Sequence, residues 1–205
     1  MNQLDRNLGT EPLVALVADE DFTPAYAAAM DEVRAHTGMV SNSARSSAHA
    51  EEIGIATRKY LAQTWTLGDL PKPFRALIRY KVATANACFY CSTHQIAYLQ
   101  KFGIDRDKIA NIHEFETHPA FDERERAALA FVDAMTRDAA NIPDRVARRF
   151  VRTFTPKERV EIAIVGAAMG MLNKLNDALR IPIEESAIEV GAEVPDFGLT
   201  PTPQA

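Results

Sequence analysis

Apolar residues spaced three and four apart run through most of this chain, and this spacing predicts a protein built from α-helices. Phe74, Leu77 and Ile78, for example, fall on one face of a helix. The segment 155–158, Thr-Pro-Lys-Glu, is a helix start that combines an N-cap, a proline at the first helical position and a capping-box acid. No convincing strand alternation interrupts the pattern. The sequence therefore predicts an all-α fold, a single compact helical domain of about eight helices.

Caps and turn residues divide this pattern into segments. Thr23 is predicted to cap a first helix that ends at Gly38, and the small, polar residues 40–47 predict a loop. Asn86 is predicted to cap a later helix. The tail has little to bury, so we expect it to be loose. The predicted organisation is an N-terminal extension (1–22), a helical domain (23–192) and a loose C-terminal tail (193–205).

Charge and hydropathy argue against several partners. The 205-residue chain has a net charge of -5. Nucleic acids and anionic membranes bind clustered lysine and arginine side chains, so we expect neither as a partner. The longest apolar run, residues 162–172, is about half of the roughly 20 residues that a membrane span needs. The N-terminus lacks a secretory pattern. We therefore expect a cytoplasmic protein, in which closely spaced cysteines serve redox or metal chemistry.

Both cysteines of the chain fall in one C-x-x-C motif that is followed by a histidine: Cys88, Cys91 and His94. Residues three apart share a helix face, so the two thiols and the imidazole are predicted to form a column. With Asn86 as the N-cap, Cys88 would lie in the first helical turn, where unpaired N–H groups favour a thiolate. His94 can take the Cys91 proton or stabilise the thiolate as a cation.

This motif predicts a thiol–disulfide redox centre. One thiolate attacks an oxidant and becomes a sulfenic acid, and the other thiol resolves it to a disulfide. Two alternatives remain open. The cysteines can be plain buried residues, or they can belong to a zinc site, for which His113 and His118 are the only further pair nearby. We expect no metal and no cofactor.

Two stretches, residues 70–78 and 86–94, resemble the carboxymuconolactone decarboxylase superfamily, and within it the alkylhydroperoxidase D-like, peroxidase-related branch. Residues 173–179 resemble the asparagine-rich segment of its last long helix. The resemblance implies an all-α fold that assembles as homo-oligomers. It also implies that Cys91 is the peroxidatic cysteine and Cys88 the resolving one. The proton relay of the family adds a histidine after the second cysteine and a glutamate before the first.

The chain departs from this pattern at two places. The family histidine stands four residues after the second cysteine, where this chain has Gln95, so His94 comes one residue early. The position of the glutamate is occupied by Ala76. Glu158 or Glu161 can supply a substitute carboxylate; alternatively, Glu158 is only a cap and Glu161 a solvated charge. Tyr90, inside the C-x-x-C motif, and Gln95, directly after His94, are further possible supporting residues, and Tyr90 also suits core packing.

The sequence thus predicts a thiol-dependent, peroxidase-like antioxidant enzyme. Its expected substrate is a hydroperoxide, and its expected reductant is a dithiol protein or a small thiol. The main alternative is a non-catalytic or redox-sensing member of the family with a degenerate relay, for which Ala76 is the main support. A lactone decarboxylase is a further alternative, but the cysteine pair is generally absent from that branch.

Overall fold

A computed structural model describes residues 11–187, except for the side chains of residues 36 and 37. In this part of the chain every regular element is helical, as predicted. The α-helices are α1 (Pro24–Thr37), α2 (Asn42–Ser47), α3 (Glu51–Thr66), α4 (Lys72–Ala85), α5 (Phe89–Lys101), α6 (Arg106–Ala110), α7 (Glu123–Asp138), α8 (Asp144–Thr153) and α9 (Pro156–Ala178). Short 3-10 turns span Asp19–Asp21, Ala48–Ala50, Ile112–Glu114 and Glu185–Ala187.

Several helix boundaries lie where the local signals predict them. The Thr23 side chain accepts a hydrogen bond from the backbone N–H of Tyr26, and Gly38 ends α1 with φ of 89°. The capping box predicted at the start of α9 is present, because Thr155 and Glu158 satisfy each other's backbone N–H. The loop predicted over residues 40–47 is wrong in part. Ser41 caps a short helix there, α2, by accepting a hydrogen bond from Ala44.

Helix α4 is the centre of the fold. It packs against α5, α7 and α9, and its residues from Arg75 to Thr84 are all buried. A helix that is buried on every side requires neighbours all round, and these three helices provide them. One core cluster includes Ile78, Cys91 and Met169. The cysteine motif therefore lies in the core, between α4 and α9.

Gly166 allows α9 to approach α7 closely. A Cβ atom at this position would lie 2.8 Å from Cε of Met135 and 3.3 Å from Cγ1 of Val132. At Gly170 a Cβ atom would meet nothing within 4 Å. Of these two glycines of α9, Gly166 is therefore the one at which another helix approaches closely.

Part of the predicted N-terminal extension contacts the helical domain. The N–H of Leu13 donates to the carbonyl of Leu179 at 3.0 Å, and Nε2 of His49 lies 2.8 Å from the carbonyl oxygen of Ala15. The predicted tail (193–205) lies outside the described residues. Among those residues, no helix combines the length and the apolar character that crossing a membrane requires.

Candidate active site

The turn between α4 and α5 sets the position of the two thiols. Asn86 caps the end of α4 and not the start of α5, so the predicted N-cap at Asn86 is wrong. Ala87 has φ of 54°, and the N–H of Cys88 donates back to the carbonyl of Ala83 at 3.0 Å. These are the marks of a Schellman turn. Helix α5 therefore starts two residues later than predicted, with Cys88 as its N-cap.

This shift moves the favourable end of the helix from Cys88 to Cys91. Cys91 now lies in the first turn of α5, where free N–H groups and the helix dipole stabilise negative charge. Cys88 makes no side-chain cap hydrogen bond. Both residues are free thiols and both are buried. The helix terminus therefore favours Cys91 as the thiolate.

The two thiols differ in acidity because their neighbours differ. Burial raises the pKa of Cys88 well above its usual value, and its contacts with Cys91 and Asp177 raise it further. Burial also opposes ionisation of Cys91. There, however, hydrogen bonds from Cys88, Asn176 and Asn173 outweigh it and lower the pKa. In this environment Cys91 is the more acidic thiol of the pair.

Asn176 of α9 is the amide that supports the Cys91 sulfur. Its Nδ2 donates to Sγ of Cys91 at 3.3 Å. Its Oδ1 accepts from the hydroxyl of Ser43 at 2.6 Å, which leaves only the NH2 group free to face the sulfur. Arg58 in turn donates to Oγ of Ser43 at 3.1 Å and to Oγ of Ser47 at 2.7 Å. A chain of polar contacts from Arg58 through Ser43 thus orients the amide.

A second asparagine of α9 is held in the same way. Asn86 donates through Nδ2 to Oδ1 of Asn173 at 2.7 Å. The amide nitrogen of Asn173 faces sulfur atoms, 3.3 Å from Sδ of Met169 and within hydrogen-bond reach of Cys91. Asn86 therefore serves the site as a side chain although it does not cap α5.

The ring of His94 makes one hydrogen bond through Nδ1 and one ion-pair contact through Nε2. Nδ1 is 2.9 Å from the backbone carbonyl of Tyr90, which can only accept, so Nδ1 carries a hydrogen. Nε2 is 3.0 Å from Oε2 of Glu184. A neutral ring with its hydrogen on Nδ1 would turn a lone pair toward that carboxylate. The geometry therefore favours the imidazolium.

The charges of His94 and Glu184 stabilise each other. Burial alone would lower the pKa of His94, but contact with the Glu184 carboxylate outweighs burial and raises it. Burial would likewise raise the pKa of Glu184, yet the contact with His94 and two further hydrogen bonds bring it down to about 2. The contact therefore favours the charged form of both side chains, and the charge of His94 interacts with Cys91.

Tyr90 and the start of α2 hold Glu184 in place. The Tyr90 hydroxyl donates to Oε1 of Glu184 at 2.7 Å, and the N–H of Asn42 donates to the same oxygen at 2.6 Å. The Tyr90 oxygen also accepts from the N–H of Ser43 at 3.1 Å. The ring of Tyr90 lies 4.5 Å from that of His94, centroid to centroid. Tyr90 therefore both packs in the core and positions the carboxylate.

The two glutamates predicted as substitute carboxylates lie elsewhere. Glu158 accepts from the N–H of Thr155 at 2.9 Å and pairs with Arg124, so it is a cap. Glu161 accepts from the N–H of Asp69 at 2.9 Å and from that of Leu70 at 3.1 Å. Neither contacts His94, because α9 directs its first turns toward other segments. The interpretation of Glu161 as a merely solvated charge is wrong too.

Gln95 and Ala76 occupy the positions at which the chain departs from the family pattern. Gln95 is buried, and its Oε1 has no hydrogen-bond partner among the described residues. Ala76 is fully buried in a core cluster with Leu77 and Ile96. The carboxylate beside His94 in this chain is Glu184, which comes from the segment after α9.

The zinc alternative finds no support in the placement of ligands. His118 lies 3.6 Å from Asp107 and 6.3 Å from the ring of Phe121. Burial and the charge of Lys81 lower the pKa of His113. Within residues 11–187, no three His, Cys, Asp or Glu side chains are grouped so that they could hold a metal ion.

The sequence matches the model of one known protein family. Residues 51–134, which include α4, α5 and the cysteine motif, match the model of the carboxymuconolactone decarboxylase family. The predicted resemblance to this family is confirmed. No protein with a curated description matches the chain by sequence.

Several solved structures share the fold of this chain. The debrominase Bmp8, as a cysteine-to-alanine variant in complex with 2,3,4-tribromopyrrole, is 22% identical with a TM-score of 0.81, over 91% of this chain and 99% of that one. An alkylhydroperoxidase AhpD core protein from Ralstonia eutropha JMP134 is 20% identical with a TM-score of 0.76, over 91% and 100%. A peroxidase-related protein from Silicibacter sp. TM1040 is 22% identical with a TM-score of 0.71, over 86% and 91%. The alkylhydroperoxidase D-like fold is thus confirmed.

The sequence pattern did not predict that Glu184 and the asparagines of α9 belong to the site. Glu184 follows Ile181, Pro182 and Ile183 after the end of α9, and no spacing rule connects such a segment to a histidine in α5. One weak signal exists. Ile181 and Ile183 are apolar residues that need burial, which implies that the segment returns to the core. Asn173 and Asn176 share one helix face, a pattern that suits a cap or a subunit contact equally well.

Proposed function

We propose that the protein is a thiol-dependent, peroxidase-like oxidoreductase of the carboxymuconolactone decarboxylase family. The observation that carries this proposal is the unequal pair of free thiols. Cys91 has a lowered pKa and accepts a hydrogen bond from Asn176, whereas Cys88 has a raised pKa. A thiolate beside a protonated thiol is the starting state that a two-step dithiol reduction needs.

The proposed reaction uses both thiols as two-electron donors. The Cys91 thiolate attacks the terminal oxygen of a hydroperoxide, the O–O bond breaks, and the alkoxide leaves as an alcohol after it takes up a proton. The Cys91 sulfenic acid is then attacked by Cys88, which forms the disulfide and releases water. A dithiol protein or a small thiol then reduces that disulfide. The sum is one hydroperoxide and two thiols converted to an alcohol, water and a disulfide.

The His94–Glu184 ion pair supports the first step by its charge. Nδ1 of His94 is bonded to the Tyr90 carbonyl and Nε2 lies 3.0 Å from the Glu184 carboxylate, so the ring acts as a cation and not as a base. A cation near Cys91 stabilises its thiolate and the negative charge that develops on the leaving oxygen. The presence of this pair favours an enzyme over a non-catalytic member with a degenerate relay, because the carboxylate missing at Ala76 is supplied by Glu184.

Reductive dehalogenation is a second candidate, and the likeness to the debrominase Bmp8 favours it. The same two thiols can supply the electrons: a bromoarene and two thiols give the arene, hydrogen bromide and a disulfide. A cysteine is replaced in the tribromopyrrole complex of Bmp8. Decarboxylation of a lactone is a weaker candidate, since it makes no use of the dithiol.

A parallel assay of both reactions tests the proposal. We expect wild-type protein with dithiothreitol to consume cumene hydroperoxide, Cys91→Ser to lose this activity, and Cys88→Ser to react once without turnover. Release of bromide from 2,3,4-tribromopyrrole, measured alongside, would favour the second candidate. Full hydroperoxide turnover by Cys91→Ser would overturn the proposal.

A further inference from the structure

Ser43, in the short helix α2, is connected to both halves of the candidate site. Its hydroxyl donates to Oδ1 of Asn176 at 2.6 Å, and the Asn176 amide donates in turn to Sγ of Cys91 at 3.3 Å. Its backbone N–H donates to the hydroxyl oxygen of Tyr90 at 3.1 Å, and that hydroxyl donates to Glu184 at 2.7 Å. One residue therefore supports the thiol through its side chain and the carboxylate through its backbone.

The Ser43 hydroxyl favours one orientation of the Asn176 amide. Arg58 donates to Oγ of Ser43 at 3.1 Å, and a guanidinium can only donate. The hydroxyl hydrogen is therefore free for another acceptor, and the carbonyl oxygen of Asn176 receives it. The NH2 group of the amide then faces the sulfur of Cys91. In the reversed amide, the carbonyl oxygen would face this sulfur and repel its thiolate.

Two neighbouring helices hold Ser43 in place. Arg58 of α3 donates to its backbone carbonyl at 2.5 Å, and Tyr26 of α1 donates to the carbonyl of Ala44, the next residue, at 2.6 Å. The hydroxyl and its acceptor are buried, since Ser43 is 5% exposed and Asn176 is 3% exposed. A buried carbonyl that loses its donor is costly because bulk water does not replace the bond. The position of Ser43 therefore determines how the amide is held.

From this arrangement we propose that Ser43 is a positioning residue for the Cys91 thiolate, which acts through the Asn176 amide and is itself held by Arg58. The side chain of Ser43 sets how well the amide stabilises negative charge on the sulfur. Its backbone N–H serves the Tyr90 hydroxyl independently of that side chain. The proposal rests on the dithiol chemistry proposed above, in which the Cys91 thiolate is the nucleophile.

Replacement of Ser43 by alanine removes one of these two connections and keeps the other. The hydroxyl is lost, whereas the backbone N–H that donates to Tyr90 remains. Alanine favours a helical conformation, so we expect the variant to fold. Serine and alanine are both uncharged. The variant therefore retains all the titratable groups that interact with Cys91, which are Cys88, His94, Asp177, Arg58 and Arg79.

The two connections predict different results for Cys91 and for His94. We expect Ser43→Ala to raise the pKa of Cys91 by about 0.5 to 1, because the amide is no longer held with its NH2 group toward the sulfur. At a pH below that pKa, the thiolate fraction then falls about 3- to 10-fold. The pKa of His94 should keep its wild-type value, since the connection through Tyr90 and Glu184 is intact. A general loss of packing would instead change both pKa values.

A double-mutant cycle tests whether Ser43 acts through the amide. In an Asn176→Ala background, Ser43→Ala should have no further effect on the pKa of Cys91, because the group that it positions is absent. Ser46→Ala is the matched control. The Ser46 hydroxyl lies on the same short helix and donates to the carbonyl of Ser43 at 3.0 Å, so its loss should leave Cys91 unchanged.

The experiment measures both pKa values in the reduced full-length protein. Thiolate ultraviolet absorbance reports on Cys91 in a Cys88→Ser background, and NMR titration reports on the His94 ring. Neither measurement uses a hydroperoxide, so a wild type that failed to consume hydroperoxide would overturn the proposed function and leave these comparisons valid. The role of Ser43 would be overturned by an unchanged Cys91 pKa in folded Ser43→Ala, by an equal rise in the Asn176→Ala background, or by an equal change at His94.

Discussion

Glu184, which follows the last long helix, lies 3.0 Å through its Oε2 from Nε2 of His94 in the helix of the cysteine motif. The resemblance to the family places a carboxylate before the first cysteine, where this chain has Ala76. Because the pair is buried, each charge depends on the other.

Removal of the Glu184 charge should lower the pKa of His94 and weaken the first chemical step. We expect Glu184→Gln to decrease kcat/KM for hydroperoxide about 10- to 100-fold, since the cation near Cys91 is no longer held at neutral pH. NMR titration of the His94 ring measures the pKa directly. Glu185→Gln, the next carboxylate along the chain, is the control. An unchanged His94 titration in Glu184→Gln would contradict the assignment of the ion pair.

The same pair should make the free energy of unfolding depend on pH, with its largest contribution between two limits. The pKa of His94 is raised in the fold, so its contribution is complete below about 6.5 and is lost as pH rises through the raised value. The pKa of Glu184 is lowered, so its contribution is complete above about 4.5 and is lost as pH falls toward 2. Urea unfolding should therefore show the largest difference between wild type and Glu184→Gln, about 2 kcal/mol, between pH 4.5 and 6.5. A difference that is constant from pH 4 to pH 9 would count against this linkage.

Loss of the Asn176 amide should make Cys91 less acidic. A hydrogen bond to a charged group contributes about 1.5–3 kcal/mol, so Asn176→Ala should raise the pKa of Cys91 by about one to two units. Thiolate ultraviolet absorbance, followed in the Cys88→Ser background so that a single thiol titrates, measures this pKa. Asn111→Ala, an amide whose contacts are local to α6, should leave it unchanged. A Cys91 pKa in Asn176→Ala equal to that of wild type would show that the amide does not stabilise the thiolate.

An exposed apolar pair on α9 suggests where the expected homo-oligomer forms. Val160 is 58% exposed and Ile164 is 43% exposed, and residues four apart on a helix present one continuous patch. We expect the wild type to elute as an oligomer and Ile164→Glu to shift it toward the monomer, measured by size-exclusion chromatography with light scattering. Arg145→Glu, an exposed substitution on α8, should have no effect. A monomeric wild type would show that the family's assembly does not extend to this chain.

The helices were the predictable part of this protein because their signals are local. Caps such as Thr155 and Asp122 act within one turn of their own helix. The apolar spacing of α4 likewise predicts a helix with a buried face. The cysteine motif was predictable for the same reason, since one helical turn contains both thiols. Even here one residue mattered. Ala87 adopts a left-handed conformation in the turn between the two helices, and α5 begins only at Phe89. This conformation could not be predicted, because alanine rarely adopts it.

The partners of the thiols and of His94 were decided by the tertiary structure alone. Asn176 reaches Cys91 from the end of α9, and Glu184 reaches His94 from the segment beyond it. Contacts between segments this far apart depend on how the helices pack, and no periodicity encodes them. The sequence by itself thus determined a helical protein with two cysteines one helical turn apart. Packing decided which thiol is the more acidic, because burial and the asparagines of α9 act on each pKa.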